Sequence, residues 1–361
     1  MSLRLHILSD RPTNQNTQAF LVPLLLNTDN LSAHGIEIQC FYDIEPAIYE
    51  CDVLAINNKV WPGNFEDHRN HTLQKLETFA ERIKTILYFD RSSSPAHIIP
   101  DVLPRVTKYL KTSLLRDRTR YLTPPYGGRL FADFYHRSKK IDDEVPWRYQ
   151  AVIDEKHLTK LHVSWNTAFG NYSLIGPRLT SFYARCPNPI FLSAPRFYHP
   201  PEAARPIDVS CRMSMKYSHN TVAFQRREIA RILADFRRTD RVSKIAYVRE
   251  LKKSKVVASP FGYSEINYKD FETFMYGALL LKPDMSHLET YPDLYRDEET
   301  FVAHSWALDD VREKIDRVLS DRNWRLQISS RGQELYRWYV TTQEGQEHFV
   351  DRFVAHLEDR P

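Results

Sequence analysis

Val256-Val257-Ala258-Ser259-Pro260-Phe261-Gly262-Tyr263-Ser264-Glu265 joins a short apolar run to a loop of turn-forming and polar residues. Just upstream, Tyr247-Val248-Arg249-Glu250-Leu251 has a helical pattern. Downstream, Tyr268 to Tyr276 reads as a helix stopped by Gly277. Ala278-Leu279-Leu280-Leu281 then reads as a buried strand ending in Lys282, Asp284, Ser286 and His287. Helix, strand, loop, helix and strand in that order predict a βαβ unit with a parallel sheet. Ligands of open parallel sheets bind beyond the carboxyl ends of the strands. Both strands run out into the most polar segments of the region, so 259–265 and 282–287 are expected to form one site.

These residues carry a resemblance. Ser259-Pro260-Phe261-Gly262 with Glu265, then Asp270-Phe271-Glu272, then Gly277-Ala278-Leu279-Leu280-Leu281-Lys282-Pro283 resembles the donor half of GT-B glycosyltransferases, including the group 1 and CgeB-like families. The resemblance implies an α/β fold of two Rossmann-like domains with parallel sheets facing a cleft, and a C-terminal helix that crosses back. It implies transfer of a sugar from a nucleotide-activated donor to a glycan or other hydroxyl acceptor, in polysaccharide or glycoconjugate biosynthesis. Glu272 would hold the ribose hydroxyls of the donor. Glu265 stands seven positions earlier, where the familiar pairing has eight, and that glutamate pair suggests retention. No cofactor is implied, the nucleotide sugar being a substrate. No Asp-x-Asp motif is present to hold a metal.

The chain has 361 residues, which at about 150 residues per domain suggests two domains. Hydrophobic residues make up 42% and charged residues 27%, enough for a sizeable core under a soluble surface. A net charge of +4 makes no case for nucleic acid as partner. Cys40, Cys51, Cys186 and Cys211 lack metal or redox spacing, so a reducing, cytoplasmic compartment is expected. Met1 to Ser9 reads as a strand with charges in it rather than as a signal peptide. No apolar run approaches the roughly 20 residues of a membrane span, while attachment at a membrane surface is left open.

In order along the chain, strands are expected at Leu3–Leu8, Ile36–Tyr42, Asp52–Ile56 and Lys84–Phe89, with helices near Gln18–Leu26 and Glu66–Ile83. This alternation reads as Rossmann-like, without the Gly-x-Gly-x-x-Gly of dinucleotide binding. Val106 to Leu115 reads as a helix exposing Lys108 and Lys111. Leu161–Asn166 is the last strand of the first half. Six prolines between Pro187 and Pro206 suggest a stiff connection. The expected division is an acceptor-side domain over 1–186, a linker over 187–205, a donor domain over 206–340 and a returning helix over 341–361. After the boundary, Pro206–Cys211 is a strand, and the helix that follows has Asn220 as its N-cap.

Candidate residues follow from these placements. The start of the Asn220 helix supplies free N–H groups suited to phosphate. Arg212 and Lys216 lie in the loop before it, either phosphate ligands or an ordinary solvated basic loop. Phe261 or Tyr263 could stack on the base, with Gly262, Lys282 and Asp284 completing the donor side. Ser9, Asp10, Arg129 and His136 belong to the acceptor side, although His136 beside Asp133 also reads as a surface histidine. Asp90, Glu265 and His287 are the candidates for proton transfer. Asp90 is favoured for its serine-rich flank, against the alternative of a loop-capping aspartate. Rival readings are a nucleotide-sugar epimerase on the same scaffold and a non-catalytic carbohydrate-binding module.

Overall fold

The computed structural model describes residues 2–61, 63–144, 153–236, 240 and 242–358. The first half runs β1 (Leu3–Leu8), α1 (Gln15–Leu26), α2 (Thr28–Ala33), β2 (Ile36–Phe41), β3 (Val53–Asn57), α3 (Arg69–Arg82), β4 (Thr85–Asp90), β5 (Lys108–Lys111), β6 (Ser113–Leu115), α4 (Leu130–Lys139), β7 (Leu161–Val163) and α5 (Gly176–Tyr183). The second half runs β8 (Ile207–Ser210), α6 (Asn220–Ile232), α7 (Lys244–Lys253), β9 (Ser254–Ala258), α8 (Tyr268–Met275), β10 (Leu279–Pro283), β11 (Leu288–Thr290), β12 (Val302–His304), α9 (Val311–Ser320), α10 (Arg322–Thr341) and α11 (Gln343–Glu358).

Strands of the first half form one parallel sheet in the order β2-β1-β3-β4-β5-β7. Those of the second form another, β12-β10-β9-β8, also parallel. The fold is therefore α/β with two Rossmann-like sheets, as expected. β3 and β10 are buried along their whole length, which suits strands covered on both faces. β9, α8 and β10, over Ser254–Pro283, are the expected βαβ unit. Its helix α8 starts in a capping box between Asn267 and Asp270, which satisfies N–H groups of the first turn.

Among the contacts that join the halves are a strand pair and a returning helix. β11 pairs antiparallel with β6, Leu288 opposite Leu115 and Thr290 opposite Ser113. Helix α11 returns to the first half, where Phe349 and Phe353 lie 5.1 and 5.8 Å from the ring of buried Trp165. There the Lys108 amine donates to His356 O at 2.9 Å. Before β8, buried Arg205 donates to the carbonyls of Leu251, Ser254 and Tyr276, tying the incoming chain to the second half.

One element differs in kind from its expectation. Val106–Leu115 is not a helix but holds β5 and β6, and Lys108 and Lys111 are buried. Its apolar residues satisfy a helical spacing and a two-sided strand equally well. Pairing with β4 decides the matter, because it sets Lys111 opposite Asp90. At the start of α3, residues Phe65–His68 form a 3-10 turn, so the α-helix begins at Arg69 rather than Glu66.

Candidate functional site

Glu265 follows the turn after β9 and is 1% exposed, and neither carboxyl oxygen has a hydrogen-bond partner among the described residues. Its own backbone N–H leans toward it without reaching hydrogen-bonding geometry. Burial lifts its pKa to about 7, while Arg129, Lys282 and Lys111 pull in the other direction. A buried polar group left unpaired costs on the order of 1–3 kcal/mol, so an exception of this kind calls for a reason. Lys111 ends β5 of the first sheet and Lys282 lies in β10 of the second. Arg129 reaches across from the first half to donate to Tyr263 O at 2.9 Å. The carboxyl ends of the two sheets thus meet around one carboxyl group. With α11 laid back on the first half, the fold is GT-B-like.

Each cation around Glu265 is itself held. Lys282 pairs with Asp270 at 3.1 Å, both fully buried, and Asp270 also accepts from Ser259 and Tyr295. Lys111 pairs with Asp90 at 2.8 Å, again with both side chains buried. Arg129 donates to Gly127 O at 3.0 Å. Burial lowers the pKa of Lys111, of Lys282 and of Arg129.

The donor-side candidates separate. Glu272 is buried on α8 and is paired with the Lys244 amine of α7. Arg212 does not present its charge to a ligand: Glu250 takes it on two nitrogens at 2.9 and 3.1 Å, and Asp240 takes a third at 3.0 Å. Asn220 is not the N-cap of α6. That position is His219, and the first-turn N–H of Thr221 is accepted by Asp143 of the first half at 2.8 Å. Asn220 donates to Asp142 O instead. Phe261 is fully buried, packed on Phe131 at 5.0 Å with the Lys282 amine 5.2 Å above it, so it offers no face to a base. Tyr263 is partly exposed, and its hydroxyl meets Ser218 at 2.9 Å. Gly262 hydrogen-bonds to Ser264 O. Lys216 is exposed, and Asp284 accepts from the backbone and hydroxyl of Ser286.

The acceptor-side candidates do not face an open gap. Asp90 is fully buried and accepts from Tyr109, Lys111, Asn58 and Ser92. Burial alone would raise its pKa, but Lys111, His97 and these hydrogen bonds hold it well below the usual carboxylate range. A carboxylate so stabilised is a poor proton acceptor. Ser9 is buried against Asn57 at 2.9 Å. Asp10 accepts from Thr17, Asn14 and Asn57 at the start of α1, where burial raises its pKa. His136 stacks on Tyr126 at 3.9 Å and pairs with Asp142 at 2.8 Å on α4's outer side.

His287 stands apart from that cluster. Both of its ring nitrogens are buried without hydrogen-bond partners among the described residues, its ring meets Trp306 edge-on at 4.9 Å, and burial lowers its pKa to about 4. It borders a cleft of about 490 Å³ with Trp306, Phe134, Arg120, Arg137 and Ser138, contributed by both halves. Trp306 also approaches Phe261 at 6.2 Å, so the cleft lies one aromatic layer from Lys282.

Sequence reasoning missed Lys111, Asp143, Asp270 and Lys244. Asp270 sat inside the quoted stretch, and its spacing of three from Asn267 is the capping-box signal. Lys111 was visible only as a charge within an apolar run. Asp143 and Lys244 meet their partners through tertiary contacts, for which the sequence has no local signal. No group of metal-ligating side chains is found among the described residues. No helix among them is long and apolar enough to cross a membrane.

No family model matches the chain, and no curated protein matches it. Solved structures do. HepE from Anabaena, determined with UDP-glucose, aligns with a TM-score of 0.46 at 8% identity, covering 98% of this chain and 100% of that one. Sucrose-phosphate synthase from Thermosynechococcus elongatus aligns at 0.42 with 12% identity, over 98% and 99%. A glycosyltransferase from Rickettsia africae aligns at 0.41 with 10% identity, over 99% and 100%. These likenesses concern the course of the chain and lend no residue a role.

Proposed function

We propose that this chain is a glycosyltransferase that takes a nucleotide-activated sugar as donor and a hydroxyl group, of a glycan or glycoconjugate, as acceptor. The observation that carries the reading is Glu265, a buried carboxyl with no hydrogen-bond partner among the described residues, set among Arg129, Lys282 and Lys111 where the two sheets' carboxyl ends meet. Glycosyl transfer needs stabilisation of charge on the leaving phosphate, which preorganised cations supply best in a water-poor site. Taking the proton of the acceptor hydroxyl calls for a group whose protonation can change near neutral pH, and burial makes Glu265 such a group. In this reading the chain's own cations, rather than a metal ion, face the leaving phosphate. Glu272, released from Lys244, holds the ribose diol. Retention of configuration is part of the proposal, resting on the Glu265 and Glu272 pair. His287 and the cleft beside Trp306 offer the acceptor a polar and aromatic lining.

Titration with a panel of nucleoside diphosphates and nucleotide sugars, followed by an assay for donor consumption, tests it. Glu272→Ala is expected to weaken the preferred nucleotide by about 1.5–3 kcal/mol while the melting curve stays normal. Unchanged affinity would remove Glu272 from the donor site, and no binding by any nucleotide would remove the function.

A second reading has its own support. Arg212, Glu272 and the start of α6 are each satisfied within the chain, by Glu250, Lys244 and Asp143. That pattern suits a transferase-like module that holds carbohydrate without consuming a donor. Glycan binding with no turnover of any nucleotide sugar would favour it.

A further inference from the structure

Among the described residues, nine large apolar side chains are exposed, and five of them, Leu174, Ile175, Phe182, Ile190 and Phe197, fall within 174–197. Phe182 is 53% exposed, Ile190 77% and Phe197 83%. Apolar side chains scattered singly on a surface need no explanation, but a concentration of them does. Helix α5 buries Gly176 and Thr180, and Gln18 of α1 fastens it by donating to Pro177 O at 3.1 Å. On the outer side of α5 and just beyond its ends, Ile175, Arg178, Phe182 and Arg185 are all exposed. Phe182 touches Phe191 at 6.1 Å, so the turn at Pro189–Phe191, which carries Ile190, continues the same surface.

The charge of this surface is one-sided. Arg178, Arg185 and Arg196 are exposed, and no carboxylate pairs with any of them among the described residues. The chain holds 46 Asp and Glu in 361 residues, yet none lies between Glu155 and Glu202. An apolar patch whose own stretch of chain carries only positive charge selects among partners. Self-association about a twofold axis would set arginines of one copy against those of the other. An acidic lipid surface meets both features at once: apolar side chains enter the boundary between headgroups and acyl chains, and arginines face the lipid phosphates.

We propose that α5 and the turn that follows it form a docking surface for membranes bearing anionic lipids. The proposal is independent of the transfer reaction and involves none of the residues around Glu265. The test is cosedimentation of the full chain with vesicles of phosphatidylcholine, alone or with about one-third phosphatidylglycerol. The chain is expected to bind the mixed vesicles only, and to be released as salt rises from about 0.05 to 0.5 M. Arg178→Gln with Arg185→Gln should weaken binding about fivefold for each arginine removed. Phe182→Ser with Ile190→Ser should weaken it about tenfold or more. All variants should melt as the parent does, since the altered side chains are exposed. Absence of binding to mixed vesicles, equal binding to both compositions, or parent-like binding by both double variants would overturn the proposal. So would a dimer in sedimentation velocity that Phe182→Ser dissolves while vesicle binding is absent, because the patch would then serve a second copy.

Discussion

Asp143 Oδ1 accepts the backbone N–H of Thr221 at 2.8 Å, and the Thr221 hydroxyl donates to the same carboxylate at 3.1 Å. A buried acidic side chain of the first half therefore fills the first turn of α6, the place where the sequence suggested a phosphate. His219 lies 3.3 Å from the other carboxylate oxygen, so the cap also draws a titratable ring toward the junction. Asp143→Ala should destabilise the protein by about 1–3 kcal/mol, since it leaves buried N–H and O–H donors unpaired. Urea unfolding measures this; an unchanged midpoint would mean that the cap is dispensable in solution.

The Glu265 carboxyl sits near pKa 7 when folded, against 4.5 for the free group, because of burial. The folded chain thus keeps a proton that the unfolded chain releases, so the group favours folding below about pH 4.5 and this support is lost as pH rises through 7. Across that window the parent should lose roughly 3 kcal/mol relative to Glu265→Gln, which cannot ionise. Denaturant midpoints for both proteins at several pH values read the difference directly. A constant difference over the window would place the Glu265 pKa at its ordinary value.

Lys111→Met should cost about 3–5 kcal/mol, because it strands the Asp90 carboxylate in the core. Asp90→Asn in the same chain should recover much of the loss, since a neutral amide still accepts from Tyr109 without needing a counter-charge. The comparison is made by thermal and urea unfolding of single and double variants. Equal destabilisation by both would show that the lysine acts by packing rather than by charge.

The βαβ unit over 247–283 was legible because an apolar strand, a turn, a capped helix and a second apolar strand are all local signals. The strands β1 to β4 were readable for the same reason. What the sequence could not show is which charges cancel. Arg212 looked available because its loop is polar, yet Glu250 comes from a helix that follows much later in the chain. Asp90 looked like a base because serines follow it, whereas the deciding neighbour, Lys111, arrives through strand pairing. The β5 segment itself misled, since its apolar spacing fits either period until a partner strand is known. Glu265 was identifiable by position, but its lack of partners is a tertiary fact.

The β6 and β11 strands stitch the two halves together beside His287. Leu288, Glu289 and Thr290 face Leu115, Leu114 and Ser113, the Arg116 amide donates to His287 O at 2.9 Å, and Arg118 pairs with Glu289. Entry to Glu265 by parting the halves would break that ladder first, so capture becomes a gated event. Its observed rate should climb with ligand concentration and then level off at the frequency with which the stitch opens. The Arg116 amide proton, donated across that seam to His287 O, would exchange with solvent at that same frequency under conditions where opening limits exchange, giving a clock for the gate that needs no ligand.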